Sequence, residues 1–138
     1  MSVTELALQI RNQPGQLVQV TSLLADAKVN IRGITASSTG KYGWVRMVVD
    51  KPKIAQEALE EYGFTVEIGE AVAVQLIDEP GALDRALHIL AAEKINLDYI
   101  YTCVASGKAG HAVAILGVQT PSKVEKLLNE HNVATLDE

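Results

Sequence analysis

The chain has 138 residues, 48% of them hydrophobic and 21% charged, which suits one average soluble domain or two small ones. A net charge of −5 with 12 dispersed Lys and Arg argues against a nucleic-acid surface, and no apolar run approaches the roughly 20 residues of a membrane span. The start, Met1 to Glu5, lacks a signal peptide's basic and apolar regions, and the single cysteine, Cys103, allows no internal disulfide, so a cytoplasmic protein is expected.

In chain order, Leu6, Leu8 and Ile10 alternate with Glu5, Ala7 and Gln9, the pattern of a half-buried strand. Pro14 then opens a helix, where its missing N–H costs nothing. Leu17, Val20, Leu23, Leu24 and Ala27 give that helix one apolar face. Asn30 marks the exit to a hairpin that turns near Gly40-Lys41-Tyr42-Gly43 and returns over Trp44 to Asp50. A second helix starts at Pro52 and buries Ile54, Ala58 and Leu59, and a strand from Phe64 to Ile68 follows.

The same order then repeats. Pro80-Gly81 stands 66 residues after Pro14-Gly15, and that shift also aligns Leu17 with Leu83, Leu24 with Leu90, Lys28 with Lys94 and Asn30 with Asn96. The second copy has a helix stripe of Leu83, Ala86, Ile89 and Leu90 and a hairpin turning near Ser106 to Gly110. A returning strand from His111 to Gln119, a helix from Pro121 burying Val124, Leu127 and Leu128, and a strand from Val133 to Leu136 complete it. The expected fold is α+β: two tandem ferredoxin-like βαββαβ units, 1–69 and 70–138, each an antiparallel four-stranded sheet with two helices on one face. Gly69-Glu70 leaves almost no linker, so the copies are expected to be close neighbours.

Helices cover only one face of such a sheet. Strand parity puts Val72, Val74, Leu76, Ala112, Ala114 and Leu116 inward in the second copy. Ala71, Ala73, Gln75, Ile77, Tyr99, Tyr101, Cys103, Val113 and Ile115 then face outward, too apolar for free solvent, so that face should be covered. The first copy's outward set, Thr35, Ser37, Trp44, Arg46 and Val48, is more mixed. The three-residue spacings Ile31 to Ile34 and Leu97 to Ile100 hint at bulges that would change the parity.

The sequence carries no Gly-rich phosphate loop, H-E-x-x-H, paired-Cys motif or G-x-S-x-G elbow, and His88, His111 and His131 are scattered. No catalytic residue, metal site or cofactor is expected. What stands out is a loop that occurs twice, Asn12-Gln13-Pro14-Gly15-Gln16-Leu17 and Asp78-Glu79-Pro80-Gly81-Ala82-Leu83. A helix start offers free N–H groups and partial positive charge to a ligand carboxylate. Gly15 and Gly81 would let backbone and ligand approach closely. Asn12 offers donors and an acceptor, whereas ionised Asp78 offers only acceptors and suits an ammonium. The same residues could instead simply cap their helices. Asn30 and Asn96 lie at the far ends of helices about 20 Å long and could reach such a ligand only from a neighbouring unit.

These loops, with Val29-Asn30-Ile31 and Ile95-Asn96-Leu97, make each copy resemble an ACT domain, the small module that binds amino acids in enzymes such as phosphoglycerate dehydrogenase and aspartate kinase. The resemblance spans the chain twice, with the motif repeated at the right spacing, and implies side-by-side pairing of units into a continuous sheet.

 It also implies effector binding at a unit interface, against the strand-to-helix loop. By the resemblance, the ligand positions are Asn12, Gln13, Pro14, Gly15, Gln16, Leu17, Asn30 and Ile31, with Asp78, Glu79, Pro80, Gly81, Ala82, Leu83, Asn96 and Leu97 in the second copy. Some members carry a His two residues before the loop Asn, where this chain has Ile10 and Leu76. That departure leaves the ligand's side chain open, and the Asn12/Asp78 difference makes the two sites unequal.

The expected function is therefore a non-catalytic amino-acid sensor that regulates a partner enzyme or pathway, working as a homo-oligomer, most simply a dimer. The alternative is a regulatory subunit of a biosynthetic enzyme such as an acetolactate-synthase-like complex, docking through the second copy's apolar outer face. An enzyme using Tyr99, Tyr101 and His111 lacks an acid–base pair to support it.

Overall fold

The computed structural model describes residues 2–104 and 111–136. Packing divides the chain into Thr4–Gly69 and Glu70–Glu138, the latter taking in Met1–Val3. The first unit contains β1 (Val3–Arg11), α1 (Gln16–Asp26), β2 (Ile31–Thr39), β3 (Tyr42–Val49) and α2 (Pro52–Glu61). β4 (Val66–Ile77) runs without a break through the Gly69-Glu70 boundary and serves both units. The second continues with α3 (Ala82–Ala92), β5 (Tyr99–Cys103), β6 (His111–Gly117), α4 (Pro121–Glu130) and β7 (Thr135–Leu136). Strand order is β2-β3-β1-β4 in the first unit and β7-β4-β6-β5 in the second. The resolved pairings β1–β3, β2–β3, β4–β6, β4–β7 and β5–β6 are all antiparallel. This is the twofold ferredoxin-like α+β fold that the alternating patterns predict.

Each unit has its own core. In the first, Leu6, Leu8, Val45, Met47 and Val49 from the sheet meet Val20 and Leu24 of α1 and Ala55 and Leu59 of α2. In the second, Val72, Val74 and Leu116 meet Leu90, Val124 and Leu128. Three helix positions differ from expectation. Leu17, Ile54 and Leu83 are exposed; α1 buries Val20 and Leu24 of its expected stripe, while Ala55 in α2 and Ala82 in α3 are buried where Ile54 and Leu83 were expected. A helix advances 100° per residue, so a one-residue error in phase at its first turn turns a side chain from core to solvent.

Among the described residues, all four helices end alike. The amide of Val29 donates to Leu24 O, Phe64 to Leu59 O, Ile95 to Leu90 O and Val133 to Leu128 O. The residue before each, Lys28, Gly63, Lys94 and Asn132, has positive φ, which makes these Schellman closures.

Val72, Val74 and Leu116 face the second core with Leu76 packed against it, as expected, but Ala112 at the start of β6 is exposed and Val48, placed outward, is buried. The expected bulge in β2 is present as a register shift between Ile31 and Gly33. β5 begins only at Tyr99, so the second copy's spacing of three falls before the strand. Of the second unit's apolar outer positions, Ala71, Ala73, Tyr101, Val113 and Ile115 are buried, Tyr99 and Cys103 are half-buried and Ile77 is exposed. The first hairpin turns through Gly40-Lys41, with Gly40 at φ 79. The second turn, expected near Ser106 to Gly110, lies outside the described residues.

Candidate functional site

The twice-repeated loop is a tight turn placed before each helix. Pro14 does not open α1, which begins at Gln16. Instead Gln16 N donates to Gln13 O at 3.3 Å across Pro14-Gly15, with Gly15 at φ 87 and ψ −12. These are the features of a type II turn, which takes Pro at its second position and a positive-φ residue at its third. Ala82 N bonds Glu79 O at 3.3 Å across Pro80-Gly81, and Gly81 has φ 89. The turn geometry alone therefore accounts for both glycines, whether or not a ligand approaches them.

Capping does not explain Asn12 or Asp78, because neither helix start carries a side-chain cap. Asn12 Nδ2 donates to Gly40 O at 2.9 Å, and its backbone N donates to Lys41 O at 2.8 Å. Asn12 thus ties the loop to the tip of the β2–β3 hairpin. Gln16 Oε1 accepts from Arg11 N at 3.1 Å, and Gln16 Nε2 donates to Gln19 Oε1 at 3.0 Å. Gln19 N is used by Gly15 O, but among the described residues the amides of Leu17 and Val18 have no protein acceptor.

A cavity of about 230 Å³ opens beside this loop. Asn12, Gln13, Gln16 and Leu17 line it on one side, and Ala36, Ser37, Ser38 and Gly43 on the other. The hairpin residues were not foreseen. They arrive through long-range register, Ile10 opposite Gly43 and Gly43 opposite Ser38. The one local signal is Gly43 inside a strand. A Cβ there would lie 2.7 Å from Ser37 O and 2.8 Å from Ser38 Cβ, so only glycine allows this close approach. Arg11 is the charged residue of the lining, and the first turn of α1 carries no acidic residue.

The second loop differs in charge. Asp84 sits in the first turn of α3, and Glu79 Oε1 pairs with Arg85 Nη2 at 3.0 Å. Gly81 is overlain by Arg85, whose Nη1 would be 3.1 Å from a Cβ. Asp78, Pro80 and Leu83 are exposed.

Within one unit the two asparagines do not join the loops. Asn30 lies at the other end of β3 from Asn12: its N donates to Asp50 Oδ1 at 2.8 Å, and Asp50 N returns a bond to Asn30 O at 3.1 Å. Eight residues of β3 separate those ends, about 27 Å at 3.4 Å per residue. Asn96 Nδ2 donates to Asp98 Oδ1 at 3.1 Å. Ile31 and Leu97 are half-buried and pack against their cores.

Comparison with known proteins agrees with this architecture. No curated protein matches the chain. Protein BT0572 from Bacteroides thetaiotaomicron has a similar structure, with a TM-score of 0.88 and 27% identity over 99% of this chain and 92% of that one. The ligand-free regulatory subunit of aspartate kinase from Thermus thermophilus shares the fold at a TM-score of 0.69 and 16% identity, covering 94% and 93% of the two chains. The corresponding subunit from Thermus flavus does so at 0.62 and 17%, covering 92% and 88%. Residues 1–138 match the ACT domain pair family, and with two ferredoxin-like units each opening on an Asn/Asp-x-Pro-Gly turn, the chain belongs to that family.

Proposed function

We propose that this chain is a non-catalytic amino-acid-binding module that regulates a partner enzyme or pathway. The observation that carries the reading is the cavity beside the first loop, where the uncapped start of α1 faces Asn12 and the β2–β3 hairpin. The free amides of Leu17 and Val18 and the partial positive charge of the helix start suit a carboxylate. Asn12 Oδ1 and the hydroxyls of Ser37 and Ser38 offer acceptors for an ammonium. In the second loop Asp84 occupies the first turn of α3 and Arg85 lies over Gly81, so that helix start is the poorer place for an amino-acid carboxylate, and the first unit takes the amino acid in this reading. Asn30 or Asn96 would complete the pocket only from another copy, which makes a homodimer part of the proposal.

The aspartate kinase regulatory subunits of similar fold support a regulatory role in amino-acid metabolism. A thermal-shift screen against the twenty amino acids tests the proposal. One or a few should raise the melting temperature in a concentration-dependent way, and a flat response to all twenty would count against it.

A further inference from the structure

The duplication lets one unit be read against the other, and one place differs in chemistry. In the first unit, Gln19 Nε2 donates to Tyr62 Oη at 2.8 Å, and the Tyr62 ring stacks on Phe64 at 6.2 Å. Phe64 packs against the core just after the Schellman closure of α2. In the second unit the equivalent of Phe64 is Val133, because each donates its amide to the equivalent leucine, Leu59 or Leu128. The equivalent of Gln19 is Arg85, because each donates its amide to the turn glycine, Gly15 or Gly81. The equivalent of Tyr62 is His131, whose Nδ1 lies 2.9 Å from Leu127 O of its own helix. A large ring has become a valine, and a neutral amide tied to a tyrosine has become a guanidinium.

A cavity of about 220 Å³ lies at this place, between the start of α3, the end of β4 and the start of β7. Leu76, Ala82 and Val133 supply apolar wall, and Arg85, His111, Asn132 and Gln75 supply polar groups. Arg85 carries five N–H donors, and its one partner among the described residues is Glu79, at 3.0 Å on Nη2. The volume is below the roughly 300–1,000 Å³ of drug-sized pockets, so the occupant has only a few heavy atoms.

We propose that this cavity is a second ligand site, which takes a short-chain aliphatic carboxylate on Arg85 with its hydrocarbon tail against Leu76, Ala82 and Val133. The remaining guanidinium donors bind the carboxylate by charge-assisted hydrogen bonds. This site lies inside one unit and does not depend on the amino-acid reading of the first loop.

The test is a titration of the whole chain with butyrate, followed by amide chemical shifts. The amides of Ala82, Arg85, Val133 and Ala134 should shift saturably, while those of Asn12 to Leu17 stay still. Arg85→Gln and Val133→Phe each give the second unit the residue type of the first. Each should weaken butyrate binding at least tenfold and leave any amino-acid response at the first loop unchanged. Arg85 is exposed, so its variant folds even if the larger Phe does not fit. Shifts that fail to saturate, that persist in Arg85→Gln, or that butanol reproduces would overturn the proposal.

Discussion

Single residues in the loops hold conformations that few side chains accept, and their replacement should register directly. Gly15 at φ 87 has open space around a Cβ, so Gly15→Ala meets only the backbone penalty of the left-handed region. A loss of about 1–2 kcal/mol is expected in urea unfolding. Lys94 is the opposite case, because it occupies the left-handed closing position of α3 at φ 56, where glycine is favoured. Lys94→Gly should therefore raise the urea midpoint, by about 1 kcal/mol of stability. Asn12→Ala removes the bond to Gly40 O and should cost about 0.5–1.5 kcal/mol. In the proposed function the same change weakens amino-acid binding, and an unaltered titration would remove Asn12 from the site.

Elements were legible in the sequence wherever the pattern was local. Alternation in Glu5 to Ile10 and the prolines at positions 52 and 121 announced β1, α2 and α4, and both prolines stand at helix starts. The Pro-Gly loops were legible as loops, but not as type II turns, because a hydrogen bond between residues three apart leaves no periodicity. Ser37, Ser38 and Gly43 escaped notice as cavity residues, because their position depends on strand pairing across the hairpin. The same long-range pairing explains Gly117. Tyr99 lies opposite it, and a Cβ on Gly117 would fall inside the Tyr99 ring. Gly117→Ala should cost about 1–3 kcal/mol by overpacking. Most of that penalty should vanish in a Tyr99→Ala background, which a double-mutant cycle in urea would show.

For the molecule as a whole, binding to the native state alone sets the size of the thermal response. A saturating amino acid at one hundred times its Kd adds about 2.7 kcal/mol. For a chain of this length the melting temperature then rises by something on the order of 10 °C, and the variant lacking the Asn12 amide should respond less at the same concentration.

β4 also has a consequence for how the chain meets proteases. Endoproteases cut where backbone can leave its partners and enter an active site, which is why exposed loop tips between domains are the usual targets. Here the boundary at Gly69-Glu70 falls in the middle of a continuous strand, although Glu67 and Glu70 are themselves exposed. A glutamyl endopeptidase acting on the native chain should therefore spare the bonds after those two residues and begin elsewhere, so that limited digestion releases no intact half.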